Sequence, residues 1–89
     1  MEFEWDPAKS AETERRRGID FARAAAIFTG RLVEWVDDRR PYGEIRVRAL
    51  GESAGEILHV VYTRRAGVIR IISARRASRQ ERTQWHSSA

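Results

Sequence analysis

Arginines and one glutamate are the side chains whose spacing offers chemistry in this sequence. Glu44, Arg46 and Arg48 alternate with apolar residues in the segment EIRVRAL, so a β-strand would point all three to one face. Arg70 is the only charged residue of the apolar segment VIRIIS, and a charge in such a strand must reach solvent or find a partner. Two interpretations are open. Arg70 forms an ion pair with Glu44 or another carboxylate, or it lies beside Arg46 on an open face and binds a phosphate.

Further arginines stand at both ends of the strand that contains Arg70. Arg64 and Arg65 precede it in a predicted hairpin turn, and Arg75 and Arg76 follow it. Each of these taken alone is typical of a solvated surface charge. Together with Arg70 they would form a basic track along the sheet, which suits the phosphate backbone of a nucleic acid.

Aromatic and histidine side chains are weaker candidates. The rings of Tyr42 and Trp85 offer surfaces on which bases could stack, although a tryptophan on a short helix is more typical of a core anchor. His59 is a single strand histidine, which favours a structural role over acid–base chemistry. The chain has no cysteine, and His59 and His86 lack the spacing of a metal site, so neither a metal nor another cofactor is predicted.

Common catalytic motifs are missing from the sequence. It has no Gly-rich phosphate loop, nucleophile elbow or HExxH segment. RNA, however, carries its own nucleophile, the 2′-hydroxyl. An enzyme that cleaves RNA needs to align that group, stabilise charge on the phosphate and move protons. Arginines can supply the charge stabilisation without a metal, so the residue types leave a nuclease as an open interpretation.

The charge of the chain is divided between its two halves. Of the 89 residues, 34% are charged and 42% are hydrophobic, which predicts one compact domain over residues 1–89. Residues 1–38 contain nine acids and six bases, a net of −3, whereas residues 39–89 contain four acids and eleven bases, a net of +7. All bases except Lys9 are arginine. The basic half predicts a nucleic-acid partner or, equally well, an arginine-rich solvated surface.

The N-terminal segment and the hydropathy of the chain indicate its cellular localisation. The N-terminal segment MEFEWD is acidic and has no long apolar run, so no signal peptide is predicted. The sequence has no apolar stretch long enough to cross a bilayer. We therefore expect a cytoplasmic protein with no membrane partner.

Apolar alternation and turn residues predict the element order β-α-α-β-β-β-β-α. Short hairpins between the last strands favour an antiparallel sheet, and the helices are expected on one of its faces, giving a compact α+β domain. Ile69, Ile71 and Ile72 are expected to anchor the sheet core. The predicted strands span residues 2–5, 32–36, 44–50, 56–63 and 68–73, and the predicted helices span residues 7–17, 21–29 and 79–85.

Six segments, in this order, resemble the BrnT family of bacterial toxins. They are FEWDPAK at residues 3–9, RGIDF at 17–21, YGEIR at 42–46, VVYT at 60–63, IRIISAR at 69–75 and ER at 81–82. The resemblance implies a RelE-like fold and a ribonuclease toxin of a type II toxin–antitoxin system that inhibits translation. It also implies a BrnA-like ribbon-helix-helix antitoxin as partner, RNA as substrate, and operator DNA bound indirectly through the antitoxin.

The resemblance also directs attention to particular residues. Arg46, Arg70 and Arg75 match positions of the family motifs, and we expect them to hold the scissile phosphate. Glu44 and Arg64 are the next candidates, with Glu44 orienting an arginine or acting as a base. The candidates for further RNA contacts are Arg48, Arg76 and Trp85.

Three positions depart from the pattern of the family. The family usually has His where this chain has Arg17, commonly Asn where it has Thr13, and often Tyr where it has Trp85. A tryptophan can stack on a base but cannot act as a phenolic acid. These departures support a second hypothesis, a catalytically weak homologue that acts as an antitoxin-bound co-repressor. Direct DNA binding ranks third, because the sequence shows no convincing recognition helix.

Overall fold

The structure, a computed structural model, describes residues 1–88. Within these residues, five strands and three helices follow one another in the predicted order, and the α+β class is confirmed. The strands are β1 Glu2–Glu4, β2 Val33–Val36, β3 Arg46–Ser53, β4 Glu56–Arg65 and β5 Val68–Arg76. The helices are α1 Pro7–Arg17, α2 Phe21–Ala25 and α3 Arg79–Ser87, and α2 continues into a 3-10 turn at Ala26–Thr29.

The strands form one sheet in the order β1-β5-β4-β3-β2. The pairs β2–β3, β3–β4 and β4–β5 are antiparallel, as predicted. β1 differs, because it lies parallel to β5 with Phe3 beside Ile69. The whole chain between these two strands serves as the crossover that parallel pairing needs. The sheet is therefore mixed rather than wholly antiparallel.

Two turns of two residues each set the register of the central strands. Ala54–Gly55 joins β3 to β4, and Ala66–Gly67 joins β4 to β5. The two alanines have φ values of 50° and 51°, and both glycines have φ of 81°. Positive φ at both central residues is the geometry of a type I′ turn, which matches the twist of the flanking strands. These tight turns make β3, β4 and β5 longer than alternation alone predicts.

The ends of α1 and α2 follow the predicted capping residues. The Asp6 carboxylate accepts a hydrogen bond of 2.9 Å from the amide of Ala8, and Gly18 closes α1 with φ of 73°. The Asp20 carboxylate accepts a hydrogen bond of 2.8 Å from the amide of Arg23 at the start of α2. The chain therefore reverses between the two helices, and both can pack on the sheet.

The main core lies between the sheet and α1, α2 and the 3-10 turn. The 3-10 turn approaches β3 so closely that a Cβ added to Gly51 would lie 2.6 Å from the Cβ of Ile27, so a larger residue would push the two apart. The Ser10 hydroxyl accepts a hydrogen bond of 2.9 Å from the amide of Phe21 and so ties α1 to α2. The buried members of this core are Ile19, Phe21, Ala24, Ile27, Ala49, Leu58, Val60, Tyr62, Ile69, Ile71 and Ala74.

The C-terminal helix packs on the opposite face of the sheet. Trp85 of α3 forms a second buried cluster with Leu50 and Ala77. The expectation that all helices share one face is therefore wrong. The reason is that Leu50 alternates with Ala49 of the main core, so its side chain points to the other face and needs a cover there.

A β-bulge at Ile72 interrupts the pairing of β5 with β4. Ile72 is half-buried, whereas Ile69 and Ile71 lie in the main core, so the prediction that all three anchor the core is wrong for Ile72. Arg70 and Arg75 are five positions apart and would face opposite sides of a regular strand. The extra residue of the bulge brings both to the same face.

Candidate nucleic-acid interface

The sheet face opposite α1 and α2, here called the open face, carries four of the six predicted arginines. Arg46 on β3, Thr63 on β4 and Arg70 on β5 form one cross-strand row on this face. Because adjacent strands lie about 4.8 Å apart, the two arginine backbones are roughly 10 Å apart. Thr63 is buried between them and donates a hydrogen bond of 2.7 Å to the carbonyl of Ile45. Two guanidinium groups can therefore approach one anion from either side of Thr63.

Arg46 is held in place by a carboxylate and a ring. Its Nε lies 3.1 Å from a carboxylate oxygen of Glu44, and its guanidinium carbon lies 4.1 Å from the centre of the Tyr42 ring. Arg65 binds the other oxygen of Glu44 at 2.9 Å. Hydrogen bonds from Arg65 and then Arg46 hold the pKa of Glu44 below its usual value. Glu44 is therefore an ionised group that orients arginines, which favours that role over proton transfer.

Arg70 has a looser partner. Its guanidinium lies 3.8 Å from the carboxylate of Glu4 on β1, and 29% of its side chain is exposed. Both interpretations drawn from the sequence therefore hold in part, since Arg70 faces the open side and is also paired, though with Glu4 rather than Glu44. An exposed pair at this distance contributes little to stability, so a phosphate can displace Glu4 at small cost.

The loop between β2 and β3 is organised around one buried carboxylate. Arg39 donates hydrogen bonds of 2.7 and 2.8 Å to the two carboxylate oxygens of Asp37, and the Tyr42 hydroxyl lies 3.3 Å from one of them. The hydrogen bond from Arg39 holds the pKa of Asp37 well below its usual range. The amide of Asp37 also donates a hydrogen bond of 2.8 Å to the carbonyl of Arg46. These bonds fix the loop in one shape, with Tyr42 against Arg46.

A groove of about 470 Å³ runs along the open face beside Arg46. It is bounded by the β2–β3 loop and by Lys9 of α1, and it passes over Val61 and Ser73. Its full lining consists of Lys9, Asp37, Arg39, Arg40, Tyr42, Arg46, Val61, Ile72 and Ser73. Four basic side chains face a single carboxylate, and that carboxylate is bound by Arg39. The groove is therefore a site of positive potential.

Arg75 and Arg48 lie at the other end of the open face, where α3 covers it. Arg75 donates hydrogen bonds of 2.7 and 2.9 Å to the two carboxylate oxygens of Glu81. Glu81 also accepts a hydrogen bond of 2.8 Å from the amide of Ser78, completing the predicted capping box of α3. The guanidinium of Arg48 lies 3.9 Å from Glu81. The hydrogen bond from Arg75, followed by that from the amide of Ser78, lowers the pKa of Glu81 to about 2.

The structure does not bring Arg75 together with Arg46 and Arg70. Arg75 lies in the cross-strand row of His59 and Leu50. Leu50 is four residues from Arg46 along β3, a distance of roughly 13 Å. The predicted trio is thus divided, and Arg75 with Arg48 fixes the position of α3.

His59 belongs to the same covered region. Only 2% of it is exposed, and its Nε2 accepts a hydrogen bond of 3.1 Å from Nε of Arg48. Burial, followed by the positive charge of Arg75, lowers the pKa of His59 to about 4. The ring is therefore neutral at physiological pH, which favours the structural role over acid–base chemistry.

Arg64 and Arg76 point to the helix-covered face, so the structure does not bring these two predicted site residues together with Arg46 and Arg70. Arg64 alternates with Thr63 and is exposed, and its guanidinium carbon lies 5.8 Å from the centre of the ring of Tyr62, a member of the main core. Arg76 forms an ion pair of 2.7 Å with Glu56 and donates a hydrogen bond to the carbonyl at the end of α1. The cause is the strict alternation of strand side chains on each side of the bulge.

The packing of Trp85 favours the core-anchor interpretation over base stacking. Only 7% of the residue is exposed. The guanidinium carbon of Arg31 lies 3.7 Å from the centre of its ring, and Arg31 also donates a hydrogen bond of 3.0 Å to its carbonyl. Arg31 thus covers one face of the ring, and that face is not open to a base.

Two of the positions that depart from the family pattern lie next to the groove. Thr13 and Arg17 line a second cavity of about 360 Å³ between α1 and β5, which shares Lys9, Ile72 and Ser73 with the groove. Arg17 donates a hydrogen bond of 2.9 Å to the carbonyl of Ala74. Its guanidinium therefore joins α1 to β5.

Sequence reasoning missed Lys9, Arg40 and Asp37 as groove residues. Two signals were present: Lys9 belongs to the FEWDPAK segment, and the loop DDRRPYG combines acids, arginines and a tyrosine around a proline. Within residues 1–88, no three side chains of the metal-ligating types come close enough to hold an ion. None of the described helices has the length and apolar character to cross a membrane.

The chain is thus a small α+β domain with a basic groove on one sheet face, an arrangement that suits the binding of an anion. The family described as ribonuclease toxin, BrnT, of type II toxin-antitoxin system matches residues 5–81. The chain therefore belongs to the BrnT family, as its motifs predict, and an antitoxin partner follows from that membership. No curated protein matches the chain significantly.

Proposed function

We propose that this protein is a metal-independent RNA endonuclease that inhibits translation in the cytoplasm. A BrnA-like ribbon-helix-helix antitoxin neutralises it, and operator DNA is bound through that antitoxin. The observation that carries the proposal is the row Arg46–Thr63–Arg70 beside the basic groove. It supports an assignment in which Arg46 and Arg70 bind the scissile phosphate and Glu44 orients Arg46.

Cleavage would proceed by attack of the RNA 2′-hydroxyl on the adjacent phosphorus. The 2′ oxygen bonds to phosphorus as the bond to the 5′ oxygen breaks, one proton leaves the 2′ oxygen, and one is added to the 5′ oxygen. Negative charge on the phosphate increases in the transition state, and Arg46 and Arg70 offset it. The carboxylates of Asp37 and Glu44 are both bound to arginine, so we expect charge stabilisation and alignment, rather than a strong base, to provide most of the rate enhancement.

The test is expression from a tightly controlled promoter, with growth and RNA integrity measured. We expect growth arrest with cleaved RNA, and relief of both when the antitoxin is co-expressed. Arg46→Ala and Arg70→Ala should each abolish arrest, whereas Arg79→Ala, on an exposed face of α3, should not. Cleavage by purified protein should persist in EDTA. Toxicity that survives both Arg46→Ala and Arg70→Ala would refute the assignment.

A second candidate function is a catalytically weak homologue that acts as an antitoxin-bound co-repressor. The observation in its favour is that all three first-choice arginines are already paired with carboxylates, namely Arg46 with Glu44, Arg70 with Glu4 and Arg75 with Glu81. Normal growth and intact RNA, from folded protein that still binds its antitoxin, would select this function.

A further inference from the structure

Lys9 and Arg40 are the two groove cations that lack an ion-pair partner among residues 1–88. The other two basic side chains of the groove are occupied, Arg39 by Asp37 and Arg46 by Glu44. Lys9 and Arg40 are both exposed and make no side-chain hydrogen bond within the described residues. Their charges are therefore available to a ligand without the loss of an internal contact.

The two cations lie on opposite sides of the open face. Arg40 belongs to the loop that leads into β3, whereas Lys9 lies on α1 beside Ile72 of β5. The groove floor between them is formed by Val61 of β4 and Ser73 of β5. The groove passes over β3, β4 and β5, and the axes of β3 and β5 are two strand spacings, or roughly 10 Å, apart. That span exceeds a single phosphate and fits a short run of nucleotide backbone.

We propose that Lys9 and Arg40 bind the phosphates on either side of the scissile phosphate of a single-stranded RNA lying along this groove. The inference rests on the proposed function, since it takes Arg46 as the contact to the scissile phosphate. A narrow basic groove that follows a backbone is the usual way to bind a single strand. The groove is bordered on one side by the β2–β3 loop, which the Asp37 contacts hold in place, and on the other by Lys9 of α1, and we infer that a single strand fits between them. The substrate class is thus unpaired RNA, and Lys9 and Arg40 determine affinity rather than the chemical step.

The test measures binding of a short fluorescent single-stranded RNA whose 2′-hydroxyls are methylated, so that it cannot be cleaved. Fluorescence anisotropy at several salt concentrations gives the slope of log K against log salt. Each lost phosphate contact reduces that slope by about 0.7 for a single strand. Lys9→Ala and Arg40→Ala should each reduce it by about 0.7 and the double variant by about 1.4, which is roughly tenfold weaker binding at 0.15 M salt. Arg79→Ala removes an exposed arginine of α3 and should leave the slope unchanged.

The outcomes separate this proposal from the proposed function. If the wild-type protein binds the probe with the expected slopes but leaves cleavable RNA intact, the groove assignment stands and the ribonuclease activity fails. If the double variant behaves like Arg79→Ala, or the wild-type protein binds a duplex probe as well as the single strand, the proposal is overturned. It is equally overturned if the double variant weakens binding of the antitoxin and not of RNA, because the groove would then be a protein-docking surface.

Discussion

The two halves of the open face use the same residue type for different purposes. In the groove half, Arg46 and Arg70 pair with Glu44 and Glu4, and the Glu4 pair is exposed and 3.8 Å long. In the half under α3, Arg75 binds both oxygens of Glu81, whose side chain is only 13% exposed. The exposed Arg70–Glu4 pair of the first half can exchange its carboxylate for a phosphate, whereas the Arg75–Glu81 pair of the second half fixes a helix.

The difference shows that the carboxylate partner decides whether an arginine on the sheet face can bind a ligand or holds two elements of the fold together. A partner that is exposed and makes few other bonds leaves the guanidinium ready for a ligand. Glu81, in contrast, also caps α3 through Ser78, so its removal would leave the helix end without its cap and Arg75 without its partner. We therefore expect substitutions in the groove half to change activity, and substitutions in the half under α3 to change stability.

Arg46→Ala should give the largest effect. Removal of one donor to a developing oxyanion typically lowers kcat by about 100- to 1000-fold, and we expect a loss in this range for RNA cleavage. Stability should change little, because Glu44 keeps its contact with Arg65 and the loop keeps its contacts with Asp37. Single-turnover cleavage and urea unfolding check the two expectations. If the variant were less stable but cleaved RNA at the wild-type rate, Arg46 would have a structural role and the groove half would not be the site of cleavage.

A fall in pH should lower the free energy of unfolding through His59, which lies in the half of the open face under α3. The pKa of His59 is lowered from 6.5 to about 4 in the folded protein, so the folded state favours the neutral ring. The resulting stability is fully present above pH 6.5 and is lost as the pH falls towards 4. The loss amounts to roughly 3 kcal/mol at 1.36 kcal/mol for each pKa unit. Urea unfolding measured at intervals between pH 7 and 3 checks it.

His59→Gln is the control for this pH dependence. Glutamine keeps an acceptor for Arg48 but does not titrate, so the decline between pH 6.5 and 4 should flatten. The pKa of Glu81 is lowered from 4.5 to about 2, so its contribution is present above pH 4.5 and disappears only as the pH falls towards 2. That lower part of the curve should persist in the variant. An unchanged slope above pH 4.5 would assign the effect to a group other than His59.

Arg75→Ala should reduce stability while activity persists. The substitution leaves Glu81 with a distant contact to Arg48 and its own cap, and we expect a loss of about 2 kcal/mol, because a third of the Arg75 side chain is screened by solvent. For a domain of this size that corresponds to a fall of roughly 10 °C in Tm. Cleavage at a temperature where the variant remains folded should stay within about twofold of the wild-type rate. A large loss of kcat in a stable variant would mean that Arg75 contributes to RNA cleavage, as the family motif implies.

The sequence predicted the order of the elements and most of their ends. Capping residues such as Asp6 and Ser78, and the alternation of β3, are local signals, so they can be interpreted without knowledge of distant contacts. The parallel position of β1 and the cover that α3 gives to Leu50 depend on packing between distant segments. No local pattern encodes them, and these were the features that the predicted fold lacked.

The sequence predicted that the candidate site consists of arginines, but it predicted only some of their positions in the fold. Arg46 and Arg70 were placed on one face correctly, because the alternation of β3 is regular and Arg70 lies before the bulge. Lys9 and Arg40 were not predicted as site residues, because neither lies on a strand of the sheet. Their position beside the groove results from the fold of α1 and from the Asp37 contacts of the β2–β3 loop.

Arg64→Ala should have the smallest effect, although motif comparison placed Arg64 in the site. The two-residue turn at Ala66–Gly67 fixes the alternation of β4, so Arg64 is exposed on the helix-covered face and its neighbour Arg65 points to Glu44 on the open face. We expect Arg64→Ala to change stability by less than about 0.5 kcal/mol and to leave cleavage unaltered. Arg65→Ala, one residue along the strand, frees one oxygen of Glu44 and should lower kcat measurably. The opposite result for this pair would mean that β4 is shifted by one residue, which would exchange the two faces of the strand.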